Sequence, residues 1–230
     1  MAKAENCFNL VGDGDDVDVI RTTEKVFGIG ISSAEASRCE TFGQFFEVVS
    51  SKLNTTGAPT RGCPTALAFF RVRATLRHLG HTQRLTPQTD MRKVFNAYGS
   101  ERLQRDLSRE LDLSLPGLEL RPASMAVLII VLAPGAAAAI WLWSWQPLLP
   151  GLALPAALAL VMPRQLPHHF ATLGSYARHC SIWTYGKLAR ASGRARPQDI
   201  WDTLFILIRD TAPSDFKGPV KYDTRFFAQR

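Results

Sequence analysis

The sequence predicts an all-α protein in which one or two small helical bundles are joined to a two-helix transmembrane hairpin. Three observations carry that expectation. Between Pro122 and Pro163 there is no Asp, Glu, Lys, Arg or His. On either side, apolar residues recur at the three- and four-residue spacing of helices that bury one face. The chain is 230 residues long, enough for small modules and an anchor at roughly 100–150 residues per ordinary domain.

Residues 1–56 read as a small helical segment. From Asp15 to Phe27 the apolar positions Val17, Ile20, Val26 and Phe27 fall among polar ones in a helical pattern, and the acidic start suits a helix N-terminus. Gly28-Ile29-Gly30 stops this helix, and a short polar stretch follows Ser32 and Ser33. Thr41 then caps a second helix whose Phe42, Phe45, Phe46, Val49 and Leu53 share one face. Residues 65–120 form a second helical segment, with Leu67, Phe70, Leu76 and Leu79 on a helix from Ala66 to Leu79 and another helix from Ser100 to Leu111.

The apolar block, 124–162, divides into Ser124 to Trp145 and Pro147 to Met162. The first run meets the roughly 20 apolar residues needed to cross about 30 Å of hydrocarbon. The second is shorter and carries Pro147, Pro150 and Pro155, which membrane helices tolerate when neighbours satisfy the freed carbonyls. Trp141, Trp143 and Trp145 cluster at the turn, where indoles favour the headgroup level. Residues 164–190 read as a juxtamembrane helix and 197–230 as a final helical segment. The competing reading is a helical hairpin buried in a core.

Charge follows the same partition. Residues 1–60 carry five basic and nine acidic side chains, 61–122 eleven and six, and 164–230 eleven and five, which together give the net charge of +7. The basic excess therefore flanks the apolar block, as in segments held to an anionic leaflet, and places both termini on the cytoplasmic side. Met1-Ala2-Lys3-Ala4-Glu5 leads into acidic sequence without the apolar core of a secretory leader. No nucleic-acid partner is expected, because finger spacing and interleaved aromatic and basic residues are both missing.

Motifs for chemistry are sparse. Cys7, Cys39, Cys63 and Cys180 include no C-x-x-C pair and read as free thiols. His168, His169 and Cys180 could be imagined as metal ligands, but His is equally at home at a membrane interface, so no metal is expected. The run Asp13, Asp15, Asp16, Asp18 lacks the spacing and the closing Glu of a calcium loop. Gly12, Gly14, Gly28 and Gly30 are not followed by the Lys-Ser or Lys-Thr of a phosphate loop. No nucleophile–base or paired-carboxylate spacing emerges, so neither an enzyme nor a cofactor is expected.

One resemblance does emerge. Gly14-Asp15-Asp16-Val17, the helix ending Lys25-Val26-Phe27-Gly28, Ile31, and Thr41-Phe42-Gly43-Gln44-Phe45 together resemble acyl carrier proteins, especially a bacterial carrier-like family of unknown function. True carriers open this helix with Asp-Ser-Leu, whose serine holds phosphopantetheine. Asp16 stands in that place and has no hydroxyl to accept the phosphodiester, so the resemblance implies a carrier fold without its arm. Ile200 to Ile208 followed by Thr224-Arg225-Phe226-Phe227 looks like the first helix and loop of the same family. The two ends of the chain would then complete one permuted bundle. Leu85 to Met91, Ser100 to Leu111 and Phe170 to Tyr176 echo the pattern again, so the hairpin would interrupt a second carrier-like unit.

The expected function is a non-catalytic docking or scaffold module at the bacterial inner membrane, with the lipid bilayer as one partner. Its acidic helix start, Asp13, Asp15, Asp16 and Asp18, would recruit a basic protein, for which the resemblance suggests an enzyme of acyl or lipid metabolism. One alternative is an acyl carrier modified at Ser100, although Gly99-Ser100-Glu101-Arg102 lacks the carrier context and serine is also a common helix cap. The other is a structural membrane subunit.

Overall fold

The structure, a computed structural model, describes residues 6–8, 10, 14–53, 63–141, 158–159, 162–193, 195–211 and 218–227. It is mainly helical, and the chain divides into two compact units, one formed by residues 1–70 and 180–230 and the other by 71–179.

The first unit begins with α1 (Asp15–Phe27), the short α2 (Ser33–Ala36) and α3 (Phe42–Lys52). Helix α1 ends because Gly28 takes the left-handed conformation, φ 63°, and returns its N–H to the carbonyl of Glu24. Thr41 is the cap of α3: its Oγ1 accepts from the N–H of Gln44, whose side chain accepts in return from the N–H of Thr41. Helix α4 (Pro64–His78) runs from the first unit into the second.

The remaining helices of the first unit come from the far end of the chain. They are the end of α8 (Leu173–Trp183), α9 (Tyr185–Ser192) and α10 (Pro197–Thr211). Helix α10 packs against both α1 and α3, and α9 packs against α1. Val19, Val26, Phe27, Phe42, Phe45 and Val49 from the early helices meet Tyr185, Ile200, Leu204, Leu207 and Ile208 in one core. Trp201 lies edge-on to both Phe42 and Phe46.

Backbone pairing joins the two chain segments directly. Phe8 N–H donates to the carbonyl of Arg225 at 2.8 Å, Arg225 N–H to that of Asn6 at 3.1 Å, and Leu10 N–H to that of Phe226 at 3.0 Å. Phe42 N–H donates to Thr224 and Gly43 N–H to Tyr222. Gly43 has no side chain to spare, since a Cβ there would enter the Tyr222 ring.

The second unit contains the end of α4, α5 (Met91–Tyr98), α6 (Ser100–Glu110), strand β1 (Glu119–Leu120), α7 (Pro122–Trp141), strand β2 (Arg164–Gln165), a 3-10 turn at His168–Phe170 and the start of α8. Its buried side chains include Leu76, Leu85, Met91, Phe95, Leu103, Leu107, Leu166 and Leu173. Asp90 caps α5 by accepting from Arg92 and Lys93. The loop before it is strapped to the start of α8, with Leu173 N–H donating to Thr89 and Gly174 N–H to Pro87, both at 2.8 Å. Strands β1 and β2 pair antiparallel, Glu119 opposite Gln165 and Leu120 opposite Arg164.

Two expectations are corrected here. Among the described residues no helix is long and apolar enough to cross a membrane, so the transmembrane hairpin of residues 124–162 is not supported. Lack of charge is a weaker condition than apolarity. The large aliphatic side chains of α7 are concentrated between Met125 and Leu132, about 12 Å of helix axis, against roughly 30 Å of hydrocarbon. Pro134, Gly135 and four successive alanines follow, and an alanine removes little apolar surface from water. Most of the second run, Pro147 to Met162, lies outside the described residues, as do Trp143 and Trp145. The second correction concerns 164–190, which is not one helix: it holds β2, the 3-10 turn, α8 and α9.

Candidate functional site

The acidic start of α1 borders a cavity in the first unit. Gly14 precedes the helix with φ 103° and supplies no side-chain cap, so the first turn presents Asp15, Asp16 and Asp18 at the positive end of the helix dipole. Asp16, Val17, Val19 and Ile20 line the cavity from α1. Asp13 lies outside the described residues.

The opposite wall comes from the loop after α1. Glu24 Oε1 accepts from the N–H of Ile31 at 2.6 Å, which folds this loop back along the helix and places Ile31 on the cavity. Helix α2 follows at once. Ser32 Oγ accepts from the N–H of Glu35, while Glu35 Oε2 accepts from the N–H and hydroxyl of Ser32 at 2.8 and 2.7 Å. Lys52 Nζ lies 2.8 Å from the other oxygen of Glu35. The hydrogen bond from Lys52, and then those from Ser32, hold the Glu35 carboxyl down at about 2. A pinned α2 sets Ala36, Ser37 and Cys39 along the cavity.

Phe45 from α3 and Phe226 from the C-terminal segment close the interior, which measures about 770 Å³. That lies within the roughly 300–1,000 Å³ of sites that hold small molecules. Inside, the surface is mainly aliphatic and aromatic. The exposed lining is mixed, with Glu40 beside the cations Arg21 and Arg225, and two large apolar side chains, Val17 and Phe227, stand exposed there. Cys39 is the one thiol on the cavity. Burial, and then the charge of Glu35, raise its pKa above the usual thiol range, and its Sγ–H donates to the carbonyl of Glu35. A thiol held protonated is a packing group rather than a nucleophile.

No family model, curated protein or solved structure matches this chain. The likeness to acyl carriers therefore stands on the sequence motifs alone.

Ser100 falls in the other unit and does not have the cap role that its sequence allows. Gly99, with φ 84°, occupies the cap position of α6, and Ser100 is the first residue inside the helix. Its side chain is buried and its Oγ has no partner among the described residues.

The histidines are similarly occupied. Arg92 Nη1 donates to His168 Nδ1 at 3.0 Å. His169 packs on Phe170, and Phe170 lies edge-on to His179. Cys180 is buried in the first unit, where burial pushes its thiol up to about 12. Among the described residues no group of three or more His, Cys, Asp or Glu is placed to hold a metal ion.

Sequence reading misses the cavity because its walls come from positions as far apart as Leu10 and Phe227. The signal that could have been found is the Ser32-x-x-Glu35 box, which anchors the α2 wall.

Proposed function

We propose that the first unit is a non-catalytic docking module, which receives a basic protein segment and takes one large apolar side chain of that segment into the cavity. The observation that carries the reading is the position of Asp16: it belongs both to the acidic first turn of α1 and to the lining of a mainly apolar cavity. An apolar anchor in a pocket with charged contacts at its edge is the usual energetic layout of a protein interface. The exposed Val17 and Phe227 would lose their water on docking. The carrier resemblance supports the same reading, since carriers present an acidic helix start to basic enzyme surfaces and Asp16 replaces the serine that would bear the arm. Arg21 and Arg225 would leave the partner room for an acidic residue of its own.

The test uses the full chain and a fluorescent helical peptide with lysines on one face and a single tryptophan anchor. Anisotropy should show binding that falls about tenfold, or 1.4 kcal/mol, when the tryptophan is replaced by serine or the lysines by glutamates. Asp15→Lys with Asp16→Lys, and separately Ala36→Trp to fill the cavity, should weaken binding similarly while circular dichroism stays unchanged. Equal affinity for the glutamate peptide, or no loss in Ala36→Trp, sinks the proposal.

A further inference from the structure

Helix α7 presents an unusual surface. Met125, Val127, Ile129, Ile130, Leu132 and Trp141 are all exposed, Ile129 to 63 % and Ile130 to 70 %. At 3.6 residues per turn, Ile129 lies about 40° around the axis from Met125, Ile130 about 140° and Val127 about 200°. The apolar surface therefore runs around the helix and is not confined to a stripe.

This distribution decides between occupants. A groove on another protein, or a second copy of this helix, covers one face and leaves the opposite one to water, so helices that pair in this way carry a stripe. Only surroundings that are apolar in every direction cover all of these positions. The base of α7 adds a second observation. Arg121 N–H donates to the carbonyl of Pro163 at 3.4 Å, and Arg164 pairs with Leu120 in the β1–β2 ladder. Two arginines thus sit at the base of the helix, Arg121 with its guanidinium donating to Asn96 Oδ1 at 3.3 Å, and Glu119 is the opposite charge in the same ladder, in a chain of net charge +7. That arrangement suits anionic lipid headgroups.

We infer that α7 is a lipid-contacting element, which places Met125 to Leu132 among acyl chains on one side of a membrane while Arg121 and Arg164 meet the headgroup phosphates. The apolar stretch reaches about 12 Å, enough to enter one leaflet. The inference concerns a different surface from the docking cavity and is independent of it.

The experiment is co-sedimentation of the full chain with vesicles of phosphatidylcholine alone and of phosphatidylcholine mixed with phosphatidylglycerol. The chain should sediment with both, more strongly with the anionic mixture, and brominated acyl chains should quench its tryptophan fluorescence. Ile129→Glu with Ile130→Glu changes two exposed positions and should reduce binding tenfold or more with circular dichroism unchanged. Arg121→Ser with Arg164→Ser should remove only the preference for anionic vesicles. Four results would overturn the inference: no sedimentation with either vesicle, equal sedimentation of the Glu variant, binding to anionic vesicles alone that salt reverses equally in parent and variant, or a vesicle-free dimer that the Glu variant dissociates.

Discussion

The hydroxyl of Thr224 donates to Oδ1 of Asn6 at 2.7 Å, across 218 positions of sequence. Thr224 Oγ1 in turn accepts from the N–H of Lys221 at 2.8 Å, and the Thr224 side chain is fully buried. Thr224→Val keeps the shape and removes both bonds, which leaves a side-chain carbonyl and a backbone N–H short of a partner. A loss of about 2 kcal/mol is expected, read as a lower denaturant midpoint, whereas Thr224→Ser should recover most of it. Equal midpoints for the Val variant and the parent would show that the bond adds nothing to folding.

Gly186 is needed for a close approach of helices. A Cβ at this position would overlap the backbone carbonyl of Phe27, at the C-terminal end of α1. Arg190, one turn further along α9, donates to the carbonyls of Phe27 and Gly28 at 3.2 and 3.3 Å and so complements the negative end of the α1 dipole. Gly186→Ala must push α9 away from α1, and about 3 kcal/mol of destabilisation is expected from the overpacking. Gly30→Ala is the matched control, because nothing lies within 4 Å of its added Cβ. Thermal unfolding that ranks the two variants equally would contradict the contact.

His179 predicts a pH dependence. Burial, and then the neighbouring charge of His169, lower its pKa from 6.5 to about 4. The unfolded chain binds a proton here at a pH where the folded chain does not, so stability is full above pH 6.5 and falls as the pH drops toward about 4. After allowance for partial exposure, the loss is on the order of 1 kcal/mol. In His179→Phe the urea midpoint should depend less on pH across that window. An unchanged slope would assign the acid sensitivity to other groups.

The Glu35 carboxyl offers a direct reading of the α2 clamp. With Lys52 in place its pKa is held at about 2, against an ordinary value of 4.5. Carboxyl carbon NMR of Lys52→Met should show Glu35 titrating closer to the ordinary value. Because the Ser32 hydrogen bonds remain, it should not return all the way. Titration at the parent value would mean that the lysine contact is not formed in solution.

Local signals were readable in the sequence wherever one residue type satisfies one geometric need. Thr41 with Gln44, Gly28 at the end of α1 and the acidic opening at Asp15 are such cases, and each depends only on neighbours within a turn. Helix α2 escapes because its four residues are too few to show a period, although the Ser32 and Glu35 box is spelled out. Ser100 misleads because a preceding glycine with positive φ takes the cap position and pushes the serine into the helix. The apolar block misleads for a different reason. Counting charges weighs the Ala136–Ala139 run of α7 as heavily as Ile129 and Ile130, whereas burial free energy follows side-chain area. The cavity depends on pairings between chain ends, and no window of sequence contains it.

The strap between Asn6 and Thr224 also bears on how the protein is made. The second unit is continuous in sequence, so it can close while the ribosome is still adding later residues. The first unit cannot, because α1 and α3 wait for α10, which emerges only after the roughly 140 residues that follow α3. At about 5–20 residues per second, that interval is roughly 7–30 seconds. Throughout it Phe27, Phe42 and Phe45 lack the partners that bury them in the finished fold, and the nascent chain passes through a period in which its earliest helices are the ones most in need of a chaperone.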